Sequence, residues 1–378
     1  MHTLPTAALL AILITPANTH ATEHTVTSNQ QLNAAARAAK PGDTIHCNSS
    51  SSFSTVHLSN LNGTRDKPIT ITGTSPENPA RFKGGKTALH LSRSNHVTLR
   101  HLDISGCSIN GINIDDGGDK TKPSRGIVIE HCQISDIGPR GNHDAIKLSG
   151  LDDFTVRHCT ITGWGGSGID MVGCHDGVVE NCEFTGKPDF SQSNAVQMKG
   201  GSARITVKSC LFRDAGQRAI NIGGSTGLDY FRPRVGDFEA SDIEIANNRF
   251  IGSMAPIAWV GNNGGHVHHN TIYKPTKWVA RILQENQAKG FRPAHGGIFE
   301  HNLIVFDRQV STFINIGGGT APDTFTFRHN AWFDTTGRNR KPKLPTPETN
   351  AAHNIDPKLT NTLKITSPNP SLRDKGAH

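Results

Sequence analysis

Several things are scarce in this 378-residue sequence. No long helical pattern runs through it, so bundles and coiled coils are excluded. The Leu-rich signature of a leucine-rich repeat is missing. The one long apolar run, Leu9-Leu10-Ala11-Ile12-Leu13-Ile14, is too short to span a bilayer, and no other stretch comes closer. No basic run is interleaved with aromatics, although the formal charge is +7, which argues against a nucleic-acid partner and leaves room for a polyanionic one.

What the chain has instead is glycine, 39 residues of it, and a repeat. One phrase returns as Ala145-Ile146-Lys147-Leu148-Ser149-Gly150, Gly168-Ile169-Asp170-Met171-Val172-Gly173 and Ala195-Val196-Gln197-Met198-Lys199-Gly200. It returns again as Ala219-Ile220-Asn221-Ile222-Gly223-Gly224 and Phe313-Ile314-Asn315-Ile316-Gly317-Gly318. Each is a period-two strand closed by glycine, with apolar residues on one face and polar ones on the other. A second phrase follows, ending in a column: Cys132, Cys159, Cys182, Cys210, Asn248, Asn270, Asn302, Asn330. The spacings are 27, 23, 28, 38, 22, 32 and 28. A period of this size built from short strands predicts a stacked solenoid, with one coil of a parallel β-helix per period.

That register makes the cysteines read as a ladder. Seven cysteines in an exported chain first suggest disulfides, but ladder side chains point the same way, so mostly free, buried thiols are expected. Zinc on His131, His158 and the cysteine column is the alternative, and it requires ligands converging on one point.

In chain order, residues 1–21 read as a signal peptide ending near Ala21, which places the protein outside the cytoplasm. Residues 22–337 read as the solenoid, with a cap over 22–60. There Ser28 starts a helix, alanines fill it and Pro41-Gly42 ends it. Residues 338–378 read as an extended tail covering the last coils. Two long departures, Ser225–Ser241 and Glu285–Gly297, both leave after the first phrase and so overhang the same edge of one sheet.

The outward positions of the first phrase stack as His90, Asn113, Lys147, Asp170, Gln197, Asn221, Ala258, Arg281 and Asn315. The next outward column runs Ser92, Asp115, Ser149, Val172, Lys199, Gly223. A polar strip beside overhanging loops suits a glycan-binding face. Asp115, Asp116 and Asp144 offer hard oxygen ligands for Ca²⁺; the same Asp-Gly cluster is also ordinary turn chemistry.

The helix ending Lys40-Pro41-Gly42-Asp43-Thr44-Ile45, the glycine-closed strands and the Cys/Asn ladder resemble the right-handed parallel β-helix superfamily. That group holds pectate lyases, chondroitinase-B-like and alginate lyases, polygalacturonases and mannuronan epimerases. The resemblance implies an all-β, single-stranded right-handed parallel β-helix with an N-terminal capping helix. It also implies a secreted, monomeric enzyme acting on an acidic polysaccharide. In its lyases a uronate carboxylate is neutralised and a Lys or Arg removes the adjacent proton. Met198-Lys199-Gly200-Gly201 followed by Arg218 resembles that pair, though Arg218 precedes the matching strand position, near Asn221 or Gly223. The expected catalytic residues are Lys199, Lys147 and Arg218. The expected substrate-binding residues are Asp170, Gln197, Asn221, Tyr230, Arg232, Arg281 and His143. A hydrolase using Asp144 and Asp170, an epimerase and a non-catalytic glycan-binding solenoid are the alternatives.

Overall fold

A computed structural model describes residues 21–378. The signal-peptide expectation, residues 1–21, falls almost wholly outside them. Among the described residues no helix is long and apolar enough to cross a membrane.

The chain winds through three parallel sheets of 10, 13 and 12 strands. A representative coil runs Ile146–Ser149, Leu151–Arg157, Thr160–Trp164 and then returns one rung on at Ser167–Val172. Only two strands per coil were legible in the sequence. The third, which follows the ladder residue, is often three residues long, as in Glu183–Thr185 and Leu211–Arg213. So short a run carries too little alternation to be recognised.

The core is a column of stacked apolar side chains filling the coil interior. Phe184, Phe212 and Phe250 stack on successive coils with ring centroids 4.9 and 4.8 Å apart, the rung spacing itself. The ladder sits at the corner between the second and third strands. Asn248 Nδ2 donates to Asn270 Oδ1 at 3.0 Å, Asn270 to Asn302 at 3.0 Å, and Asn302 to Asn330 at 3.1 Å. All seven cysteines are free and buried. The residue before each ladder position takes a left-handed conformation, with φ of +53° at His158, +52° at Asn181 and +53° at His269. Asn and His tolerate that region better than most residues, which accounts for their recurrence there.

The ends are covered. The helix Asn29–Ala38 starts at Ser28, whose side chain accepts from the Gln31 N–H at 3.3 Å, and it buries Leu32 and Ala35 against the first coil. At the other end Ala352–His353 adds a strand beside Ala331–Asp334. The tail then runs back over the third sheet, where Leu372 packs near Leu303, Val305 and Ala331. The Ala377 N–H there donates to Thr271 Oγ1 at 2.9 Å.

Candidate functional site

The ten-stranded sheet presents the polar strip in the register expected from the sequence: His90, Asn113, Lys147, Asp170, Gln197, Asn221, Ala258, Arg281 and Asn315 are successive neighbours. The second column likewise pairs Val172 with Lys199. Lys147 and Lys199 therefore lie two coils apart on a diagonal, with Asp170 on the coil between them.

Asp170 is fully buried and holds both lysines. Lys147 donates to its Oδ2, and Lys199 Nζ lies 3.3 Å from its Oδ1. Asp144, in the segment leading into Lys147's strand, adds an oxygen 3.5 Å from Lys147 and accepts the Ser167 N–H at 2.8 Å. Burial alone would keep Asp144, Asp170 and Lys147 neutral. For Asp170 the charges of Lys147 and Lys199 overcome burial and hold its pKa below the ordinary carboxylate range. Asp144 goes the other way: burial, then the Asp170 charge, push it up to about 6 in spite of Lys147. Burial opposes charge on Lys147, but Asp170 and Asp144 override it and raise its pKa.

Lys147 and Lys199 open into a cavity of about 590 Å³ also lined by Asp115, Asp116, Ser149, Tyr230 and Arg232. Its roof is the first long loop. Arg232 reaches back 116 residues to donate to Asp116 at 2.5 and 3.2 Å, and to the Tyr230 carbonyl at 2.7 Å. This contact needs the glycines that close the strands below it. A Cβ on Gly150 would sit 2.1 Å from Asp116 Oδ2, and one on Gly173 2.4 Å from Arg232 Cβ. Both glycines also have positive φ.

A residue the sequence did not single out ties the site together. Glu239, completely buried, accepts four hydrogen bonds: Gly200 N–H at 2.8 Å, Thr226 N–H at 2.8 Å, Thr226 Oγ1 at 2.7 Å and Asn286 Nδ2 at 2.7 Å. It joins the turn after Lys199 to both long loops, which also meet through Phe231 and Phe291 and through Arg292 and Asp237. No periodic position marks Glu239. Only its place within a loop named for its arginines could have drawn notice.

Other expected site residues are placed differently. Gln197 and Asn221 are buried and spent within the protein: Gln197 Oε1 accepts from Lys199 Nζ at 3.2 Å, and Asn221 Oδ1 from Arg218 at 3.1 Å. They orient the cations and do not reach into the groove. Arg218 does not line Lys199's cavity and pairs with Glu285 at 2.9 Å. His143 lies against Gly138 and Gly141 and does not line the cavity. Asp115, Asp116 and Asp144 do not converge on one point. Asp115 binds His90, Ser92 and the Gly117 N–H; although burial opposes it, those donors lower its pKa to about 2. Asp116 binds Arg232 and Asp144 binds Lys147. Among the described residues no group of three or more His, Cys, Asp or Glu is arranged to hold a metal.

A family model described as a right-handed β-helix region matches residues 144–274, the coils that carry both lysines and the first loop. A sequence search of curated proteins finds no match. Among solved structures, pectate lyase Pel9A superposes with a TM-score of 0.57 at 9% identity, covering 96% of this chain and 98% of that one. The A-module of mannuronan C-5 epimerase AlgE4 from Azotobacter vinelandii gives 0.53 at 13% identity, over 81% and 90%. The PL6 family polysaccharide lyase Pedsa3628 from Pseudopedobacter saltans gives 0.51 at 14% identity, over 94% and 99%. At these identities the likeness is one of fold. Three parallel sheets, an asparagine ladder and these neighbours together show that the fold is a right-handed parallel β-helix.

Proposed function

We propose that this is a secreted polysaccharide lyase that cleaves a uronate-containing glycan by β-elimination in the groove of the ten-stranded sheet. The observation carrying the reading is the convergence of Lys147 and Lys199 on one buried carboxylate at the floor of a cavity roofed by Tyr230 and Arg232. Abstraction next to a carboxylate builds negative charge on it, and fixed cations stabilise that charge. Lys147, clasped by two carboxylates and held protonated, is the neutralising cation. Lys199, which meets a single carboxylate oxygen, is the base. It takes the proton α to the uronate carboxylate. The bond to the glycosidic oxygen then breaks, a carbon–carbon double bond forms in the ring, and the leaving oxygen is protonated from the cavity, where Tyr230 carries a hydroxyl on the overhanging loop. The fold's neighbours include proteins named for pectate and mannuronan, both uronate polymers. Export rests on the apolar run Leu9–Ile14.

The hydrolase alternative needs two carboxylates facing the scissile bond. Asp144 and Asp170 are 1% and 0% exposed, behind the lysines. Incubation with pectate, alginate, chondroitin and related glycans should generate the ultraviolet absorbance of an unsaturated sugar end, and Lys199→Ala should abolish it. Reducing ends without absorbance would point to hydrolysis, altered uronate composition without cleavage to an epimerase, and binding alone to a non-catalytic solenoid.

A further inference from the structure

A second cavity, about 650 Å³, opens on the same sheet beside the second long loop. Its lining includes Arg281, Gln284, Glu285, Gln287, Phe291 and Gly318. From the strand of Lys199 to that of Arg281 the register passes three coil steps, about 14 Å at the usual inter-strand spacing. Thr226 and Asn286, joined through Glu239, form the partition between the two cavities.

Arg281 is the distinctive group. Among the described residues it has no carboxylate within ion-pair distance, because Glu285, the acid on this loop, is taken by Arg218 at 2.9 Å. Its Nε donates to Asn315 Oδ1 at 2.9 Å, and its guanidinium lies over the Trp278 ring, 4.6 Å from the centroid. The Trp278 face and the Asn315 amide hold the fork in one plane, so little order is lost when it binds a planar anion. Its terminal nitrogens make no hydrogen bond among the described residues. Burial and the neighbouring Arg218 charge both press against its own charge, which an incoming anion would relieve. Phe291 and Leu283 supply apolar surface for a sugar face, and Gln284 and Gln287 supply amides for hydroxyls.

We propose that the Arg281 cavity is a separate binding site for a carboxylate-bearing sugar, engaged by the same glycan chain whose cleavage is assigned to Lys199. It rests on the proposed function for the substrate class, and it makes the protein selective for oligomers long enough to span both cavities. Glu285 tunes the site: its carboxylate lines the cavity, and its pairing with Arg218 leaves Arg281 free for the ligand.

The test uses the full chain carrying Lys199→Ala, so that ligand survives, and uronate oligomers of graded length from pectate and alginate. Calorimetric titration and Trp278 fluorescence report binding; ultraviolet absorbance with unsubstituted Lys199 reports cleavage. Affinity should rise with length, and Arg281→Ala should remove that rise, weakening long oligomers about tenfold while sparing dimers, as expected for loss of one guanidinium–carboxylate contact. Arg281→Lys, which keeps the charge but not the planar fork, should fall between. Glu285→Gln should tighten long oligomers by removing a negative charge from the cavity lining, a gain that misfolding cannot mimic. If Arg281→Ala leaves the length dependence intact, or weakens dimers and long oligomers alike, the second site is overturned while the lyase reading stands. If Arg281→Ala weakens long oligomers but no glycan yields absorbance, the site stands and the lyase reading falls. Absence of binding to every uronate oligomer overturns both.

Discussion

Glu239 offers the sharpest test of how the groove is held. Its two oxygens take four donors, and each oxygen serves a different part of the site. In Glu239→Gln one oxygen becomes an NH₂ group that can only donate. If it replaced Oε1 it would face the Thr226 N–H and the Asn286 amide, and Asn286 Oδ1 is already engaged by the Ala288 N–H at 3.2 Å. If it replaced Oε2, the Thr226 hydroxyl could turn and accept from it, leaving only the Gly200 N–H orphaned. The second orientation is therefore expected. An unsatisfied buried donor costs about 1–3 kcal/mol. The loss falls on the turn directly after Lys199. A solenoid responds coil by coil, so the effect should be local. About 2 kcal/mol corresponds to roughly 30-fold faster local opening. Hydrogen exchange should show that acceleration at Gly200, smaller changes across 225–241, and none on distant coils such as those around Asn302. Glu239→Ala, which orphans all four donors, should cost on the order of 4 kcal/mol and loosen both loops. Lys199-dependent activity should fall with the loss of protection at Gly200. Exchange at Gly200 and Thr226 unchanged in Glu239→Gln would refute the reasoning, because the carboxylate would then not be what holds the turn.

Three further outcomes follow from other parts of the molecule. Asn270→Ala should destabilise the middle coils by about 2–4 kcal/mol, since it strips the Asn248 backbone and side-chain donors of their acceptor; a melting temperature equal to wild type would contradict the ladder's role. The seven thiols should react with a thiol reagent only after denaturation; any rapid modification of the native protein would place a cysteine outside the core. Asp144, with a folded pKa of about 6 against 3.8 for a free carboxyl, binds its proton more tightly in the folded state, so its contribution is present at low pH and lost as pH rises through 6. Between pH 4 and 6 the melting temperature of wild type should therefore carry a downward component with rising pH that Asp144→Asn lacks, and identical slopes would exclude a raised Asp144.

The sequence by itself determined the coil register. Lys147, Asp170 and Gln197 were neighbours on paper because each sits at the same place in a period-two strand closed by glycine, and parallel pairing keeps such places aligned. The same logic made the Cys and Asn columns legible, since like residues stack on like. Tertiary structure alone decided where the loops go and what the polar residues do. Arg232 meets Asp116 across 116 residues, Glu239 gathers two loops onto the Lys199 turn, Arg281 lines a second cavity, and Arg218 pairs with Glu285 of that cavity's loop. Gln197 and Asn221 share the strip with the lysines, yet their amide oxygens are taken up by Lys199 and Arg218, because burying an amide requires that its bonds be made inside the protein. A repeat transmits position from one coil to the next; a loop has no period, and its partners depend on the path it takes through space.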